Sequence, residues 1–151
     1  MNNLEGEPVY WLISNDMSPI AQQIADRHYS RRHPGSKKGF VGPGEKLVLL
    51  GADGTSLFIW LRAKPEYRGD KIDGINCTMF RNEGKELSSK LILEAERLAR
   101  ERWPNIPYLF TYVNQSKVKS KRPGWCFIKA GWQEVGKNKS GKLLLFAKVS
   151  K

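Results

Sequence analysis

Apolar positions along this chain switch between two periods. Residues 9–13 (VYWLI) form a short β-prone run, closed by the turn residues Ser14, Asn15 and Asp16. Ser18 and Pro19 then have the form of a helix start, with the serine as cap and the proline at the first helical position. Ile20, Ala21, Ile24 and His28 share one helical face, so a helix is expected there, fading over 29–32. Residues 33–45 (HPGSKKGFVGPGE) hold four glycines and two prolines and predict a long loop, of a length that in compact domains marks functional segments. Residues 46–50 and 56–62, joined by the turn Gly51-Ala52-Asp53-Gly54, predict a β-hairpin. A polar loop over 64–74 leads to a strand at 75–80 (INCTMF), which runs into Arg81-Asn82-Glu83-Gly84. The strongest helical period follows, through Leu91, Ile92, Ala95, Leu98, Ala99 and Trp103, capped by Ser88 or Ser89 and stopped by Pro104. Residues 108–113 (YLFTYV) predict a strand and 125–130 a short helix, opened by Pro123-Gly124 and closed by Gly131. Val135-Gly136 leads to a last strand at 143–149.

The order β, α, β, β, β, α, β, short α, β predicts an α/β or α+β sheet with helices on its faces. With 151 residues, the expectation is a single domain spanning 1–151. A chain of this size buries roughly 68–70% of its unfolded surface and needs no metal or disulfide staple. Cys77 and Cys126 form no CxxC, and with only His28 and His33 beside them no zinc site of known spacing can be assembled. Cys77 in its apolar strand is a core residue, and Cys126 is expected to be a buried, inert thiol. The first 14 residues have no basic segment and no apolar stretch of signal-peptide form, and no run approaches the ~18–20 apolar residues of a membrane span. The expectation is a soluble, cytoplasmic protein with reduced thiols.

Charge changes the picture. There are 26 Lys and Arg against 15 Asp and Glu, a formal net of +11. That excludes an acidic, solvating chain and makes a polyanion the first partner to consider. The excess is clustered. Arg27, Arg31, Arg32, Lys37 and Lys38 crowd one region beside Tyr29 and Phe40. Lys117, Lys119, Lys121, Arg122, Lys129, Lys137 and Lys139 crowd another beside Trp125 and Trp132. Cations contact phosphates while aromatic rings stack exposed bases. Trp125 is a candidate to receive a base flipped from duplex DNA, or else a core residue.

The segments 75–99 and Phe127-Ile128-Lys129-Ala130-Gly131-Trp132 resemble the GNAT acyltransferase superfamily. The resemblance covers 9–149 and implies a single domain with a central mixed, mostly antiparallel sheet and helices on both faces. In GNAT enzymes the strand-to-helix turn carries Q/R-x-x-G-x-G/A, whose amides cradle the coenzyme A pyrophosphate at a helix N-terminus. Here Arg81 and Gly84 match, while Glu86 stands at the last small position. A tyrosine that reprotonates the departing thiolate is replaced by Phe127. The segments His28-Tyr29-Ser30, Phe80-Arg81-Asn82-Glu83-Gly84, Leu87-Ser88-Ser89 and the run from Arg122 to Trp132 resemble the phage Mom-like branch of the superfamily. That resemblance implies transfer of an acetamido (carbamoylmethyl) type of group to N6 of adenine in DNA, protecting phage DNA from restriction. It also implies a phage-encoded protein in the cytoplasm of a bacterial host, with double-stranded DNA and a small-molecule donor as partners. The donor is acetyl-CoA or another acyl or glycyl donor.

On this reading the catalytic candidates are His28, Tyr29, Ser30, Arg81 and Asn82. Donor binding falls to Arg81, Gly84, Ser88 and Ser89, and DNA binding to Arg31, Arg32, Lys37, Lys38, Lys117, Lys119, Lys121, Arg122 and Trp125. His28, at a helix end beside a glycine-rich loop, is expected to hold its ordinary pKa of ~6.5 and to act as general base or acid on an exocyclic amine. The bland alternatives are a His28 that hydrogen-bonds a carbonyl and an Arg81 that pairs with Glu83. The rival functions are a conventional acetyl-CoA-dependent N-acetyltransferase and a nucleic-acid-binding module without catalysis.

Overall fold

The structure, a computed structural model, describes residues 9–28, 35, 39, 41–117 and 122–150. The elements in chain order are β1 (Trp11–Ser14), α1 (Pro19–Asp26), β2 (Glu45–Gly51), β3 (Ser56–Arg62), β4 (Gly74–Asn82), α2 (Ser88–Arg102), β5 (Tyr108–Asn114), α3 (Trp125–Lys129), β6 (Gln133–Lys137) and β7 (Leu143–Val149). The strands form one seven-stranded sheet in the order β1-β2-β3-β4-β5-β7-β6. Every neighbouring pair is antiparallel except β4 and β5, which are parallel and joined by the α2 crossover. Among the described residues, no helix is long and apolar enough to cross a membrane.

The sheet is mixed and mostly antiparallel with helices on both faces, as the resemblance implies. On one face Ala21, Ile24 and Ala25 of α1 pack on Val48, Leu57, Ile59 and Met79. On the other, Leu91, Ile92, Ala95 and Ala99 of α2 join Phe127 of α3 over Trp11, Phe58, Trp60, Ile75 and Cys77. Buried indoles need acceptors. Trp11 Nε1 donates to the Leu91 carbonyl at 2.8 Å and Trp60 Nε1 to the Ala95 carbonyl at 2.9 Å, which fixes α2 along the sheet. Glu96, with no exposed surface, accepts from Trp132 Nε1 at 2.9 Å and pairs with Lys148 Nζ at 2.7 Å. That buried carboxylate couples α2 to the α3–β6 corner and to β7.

Several local expectations need correction. Neither Ser88 nor Ser89 caps α2: the cap position is Leu87, which makes no side-chain capping bond, and both serines lie in the first turn. The Ser88 hydroxyl instead accepts from Asn82 Nδ2 at 3.0 Å. Ile20 is 49% exposed, and Gln22 replaces it on the buried face of α1, donating to the Asp16 carbonyl at 2.9 Å. Helix α1 ends at Asp26 with Arg27 as C-cap, so His28 stands just beyond it. Residues around Val135-Gly136 form an edge strand, β6, whose irregular pairing with β7 breaks the alternation.

Two glycines with the same left-handed backbone separate conformational strain from steric exclusion. Gly54 (φ +79°) turns the β2–β3 hairpin in open space, whereas a side chain on Gly124 (φ +79°), which opens α3, would strike the Phe146 ring. Gly54→Ala is expected to cost only the left-handed penalty of ~1–2 kcal/mol. Gly124→Ala adds overpacking of ~1–3 kcal/mol. Thermal unfolding of the two variants checks the order, and equal losses would contradict it.

Candidate active site

The parallel pairing of β4 and β5 runs only from Gly74 opposite Tyr108 to Cys77 opposite Thr111, although β4 continues to Asn82 and β5 to Asn114. At the same level the β3–β4 register shifts: Trp60 faces Cys77 and Ile59 faces Met79, leaving Thr78 as an extra residue. Such a bulge bends its strand and increases its twist. Beyond Cys77 a cavity of about 40 Å³ opens between the strands, lined by His28, Thr78, Phe80, Thr111, Tyr112 and Phe127 among others. Backbone N–H and C=O groups on the facing edges there have no β4–β5 ladder to satisfy them.

Three separate segments meet at this wedge. His28 comes from the end of α1, Phe127 from α3, and the strands themselves supply the walls. The end of α1 is held by Glu83, whose carboxylate accepts Arg27 Nε at 2.6 Å, Arg27 Nη2 at 2.7 Å and Arg81 Nε at 2.6 Å. The hydrogen bonds from Arg27 and then Arg81 outweigh burial and hold Glu83 down to about 2. His28 departs from expectation. Burial, and next the positive charge of Arg81, push its pKa down to about 4, against a hydrogen bond to the Phe80 carbonyl. The imidazole is therefore neutral at pH 7. Phe127 is 5% exposed, stands edge-on to Phe80 and Trp132, and offers the wedge a wall without a proton.

The turn from β4 to α2 is organised by Asn82. Its Nδ2 donates to the Glu86 carbonyl at 2.8 Å and to Ser88 Oγ at 3.0 Å, while its Oδ1 accepts the Gly84 amide at 3.0 Å. The Glu83 amide donates to the Thr55 carbonyl at 2.8 Å, and a side chain on Gly84 would collide with Thr55. Glycine is thus needed for close approach of this turn to the β2–β3 hairpin. Exposed Glu86 serves the turn through its carbonyl rather than its carboxylate. Arg81, expected to bind a donor, is half-buried, and its Nε pairs with Glu83 at 2.6 Å. The amides at the start of α2 have no partners within the helix.

Burial pushes up the thiols of Cys77 and Cys126, which keeps both protonated and unsuited to nucleophilic attack. Among the described residues, no group of three His, Cys, Asp or Glu side chains could hold a metal ion. Lys117 is exposed at the end of β5. Trp125 is 39% exposed, with the Arg122 guanidinium 3.7 Å from its ring centroid and Lys129 Nζ at 5.9 Å. Its ring is already engaged by a cation. Tyr29, Ser30, Arg31, Arg32, Lys37, Lys38, Lys119 and Lys121 lie outside the described residues. The wedge, the Thr78 bulge and Glu96 were missed from sequence; the strand–helix–strand order around α2 was the available signal for the parallel pair.

No protein-family model matches the sequence, and no curated protein matches it. Solved structures do match its fold. An aminoglycoside 6'-N-acetyltransferase from Enterococcus faecium aligns with a TM-score of 0.61 at 16% identity, over 93% of this chain and 97% of that one. An acyl-CoA N-acyltransferase from Pseudomonas aeruginosa aligns at 0.59 and 12% identity, over 91% and 97%. A GNAT-family acetyltransferase from Listeria monocytogenes 4b F2365 aligns at 0.50 and 19% identity, over 70% of this chain and 64% of that chain. The chain has the GNAT acetyltransferase fold.

A depressed histidine pKa has a direct consequence for stability. Between its unfolded value of ~6.5 and its folded value of about 4, the unfolded chain binds the extra proton. Stability from His28 is complete above pH 6.5 and is lost as pH falls toward 4. Urea unfolding of the parent chain is expected to show that decline and His28→Asn to flatten it. Equal slopes in the two proteins would contradict the placement of His28. The Glu83 contribution is lost at lower pH, between its ordinary value of 4.5 and about 2.

Proposed function

We propose that this chain is a transferase that moves an acyl-type group from an activated small-molecule donor to an amine, with the donor seated in the β4–β5 wedge. The observation that carries this reading is a neutral histidine set at two diverging parallel strands, the first of which runs on through a turn into the start of α2, which has no side-chain cap. The similar folds of an acyl-CoA N-acyltransferase and an aminoglycoside N-acetyltransferase support it.

The residues present fit a coenzyme A thioester, and other acyl or glycyl donors share the same needs. The exposed strand edges offer hydrogen bonds to an amide-bearing arm. The first amides of α2 carry the partial positive charge that phosphates favour. Because the Glu83 and Gly84 amides are spent within the turn, phosphate contacts fall to the amides of 85–89 and to Ser88. The Ser88 oxygen accepts from Asn82 and so keeps its O–H to donate. When bound, the donor supplies an activated carbonyl or equivalent carbon. His28 bonds the Phe80 carbonyl through one ring nitrogen and carries a lone pair on the other. That nitrogen accepts the proton the attacking amine loses. An imidazolium of pKa about 4 is more acidic than a free one, and it would return the proton to the leaving group, a sulfur where the donor is a thioester. The role left open by Phe127 is thereby filled from the opposite wall.

For the acceptor, the charge pattern favours an exocyclic amine of a base in DNA, the Mom-like reading. The net charge of +11, the exposed Arg122 on Trp125 and the exposed Lys117 support a phosphate backbone crossing this face.

Calorimetry with acetyl-CoA, and turnover on polyamine and on plasmid DNA, test the two layers separately. His28→Ala is expected to lower turnover by roughly 10²–10⁴-fold with cooperative unfolding retained. Failure of every acyl thioester to bind would remove the donor assignment. Mass spectrometry of nucleosides from DNA exposed to the enzyme is expected to show a new base adduct. Rapid turnover on polyamine with unmodified nucleosides would replace DNA by a small amine. Log affinity for duplex DNA is expected to fall against log salt by about 0.9 per phosphate contacted, and a flat dependence would exclude DNA.

A further inference from the structure

The opposite end of the sheet carries a second and much larger concavity, unrelated to the wedge. Where β2 begins, β3 ends and α2 stops, Pro43, Ala63, Lys64, Tyr67, Trp103 and Ile106 line most of a pocket of about 750 Å³. That volume lies within the ~300–1,000 Å³ of small-molecule sites, and mainly apolar walls with few polar groups are their usual make-up. One wall is closely built. Gly44, at φ +130°, passes so near the Arg62 carbonyl that a Cβ there would lie 2.7 Å from its oxygen.

The polar groups of this pocket are unequally used. The Glu45 carboxylate accepts Arg102 Nη2 at 2.9 Å, and Arg62 Nη1 is held by Asp73 at 2.8 Å and by the Gly74 carbonyl at 3.2 Å. Trp103, only 6% exposed, has its indole Nε1 buried with no hydrogen-bond partner among the described residues. That N–H is closed off from the pocket as well as from solvent, so among the described residues Lys64 is the pocket's cation without an ion pair, set among rings and aliphatic side chains. A cation without an ion pair beside mainly apolar walls favours a guest that joins an anionic group to an apolar body.

We infer that this pocket binds a small aromatic carboxylate. The ring lies among Tyr67, Trp103 and Ile106, and the carboxylate meets Lys64. The site is independent of the proposed transfer reaction, since it shares no residue with the wedge.

The test uses two probes of the same ring and opposite charge, 2-naphthoate and 2-naphthylmethylamine, with ligand-observed NMR and calorimetry on the whole chain. Saturable binding of the naphthoate alone is expected, undisturbed by excess acetyl-CoA. Lys64→Glu is expected to weaken it by roughly tenfold or more with unchanged near-ultraviolet circular dichroism. Absence of saturable naphthoate binding, equal binding of the amine, displacement by acetyl-CoA, or full affinity in a folded Lys64→Glu variant would each overturn the assignment.

Discussion

The structure turns on a parallel strand pair that stops halfway. From Gly74 to Cys77 the fourth and fifth strands share a ladder, and beyond that they part, because Thr78 is inserted without a partner on the third strand. A sheet cannot hold such an opening unless both sides are anchored elsewhere. The β4 side is paired with β3 as far as Asn82, and the β5 side is paired with β7 along its whole length. Helix α2 is fixed to the underlying face by the indoles of Trp11 and Trp60, and the Glu96 carboxylate ties it to Trp132 and Lys148. The rigid surround keeps the wedge open and directs unused backbone groups into it.

Electrostatics follow from that placement. A histidine on the surface titrates near its ordinary value, but His28 is carried into the sheet's opening and set beside Arg81. Both effects favour the neutral ring. Glu83 is the counterweight: it draws Arg27 and Arg81 together and so locks the end of α1 onto the end of β4. The same ion cluster that positions the imidazole lowers its pKa, since Arg81 remains close enough to act on it. Removing Glu83 would loosen the position and free the charge together, so the two effects cannot be tuned separately.

Much of the fold was legible in the sequence, since it rests on local periodicity. The alternating run INCTMF and the spacing of Leu91, Ile92, Ala95 and Ala99 mark β4 and α2 within two residues of their ends. The site was legible only in part. His28 and Phe127 both stood out, one as a chemical group and the other as a missing one, but their meeting in one cavity depends on contacts between residues about a hundred positions apart. Asn82 and Ser88 were placed correctly in the turn, yet their bond, which removes the serine from capping, is a matter of tertiary geometry. Arg81 carried a pattern match, and it also makes the ion pair with its second neighbour Glu83 that the sequence allowed. The pKa of His28 could not be read from neighbours in sequence because its causes, burial and Arg81, come from another element. Glu96 showed nothing unusual on a polar-looking helix, and the convergence of Trp132, Lys148 and its neighbour Arg100 makes its burial tolerable.

The distribution of charge bears on the acceptor more than on the donor. At the mouth of the wedge Arg27 and Arg81 are offset by Glu83, and Lys85 lies next to Glu86, so this turn carries little of the net +11. Phosphates seated there would be held by amides and a hydroxyl, which need no excess of lysine and arginine. The excess lies instead toward the α3 side, in Lys117, Arg122 and Lys129, and in segments outside the described residues. A single small amine would be poorly served by such a surface, because cations repel it as it approaches. On the proposed reading, an extended polyanion would be drawn to it, with its register set by phosphate contacts and its amine brought toward the wedge. On that proposed reading Arg122, stacked 3.7 Å from the centroid of the partly exposed Trp125 ring, joins a cation and an aromatic face at one point of this surface.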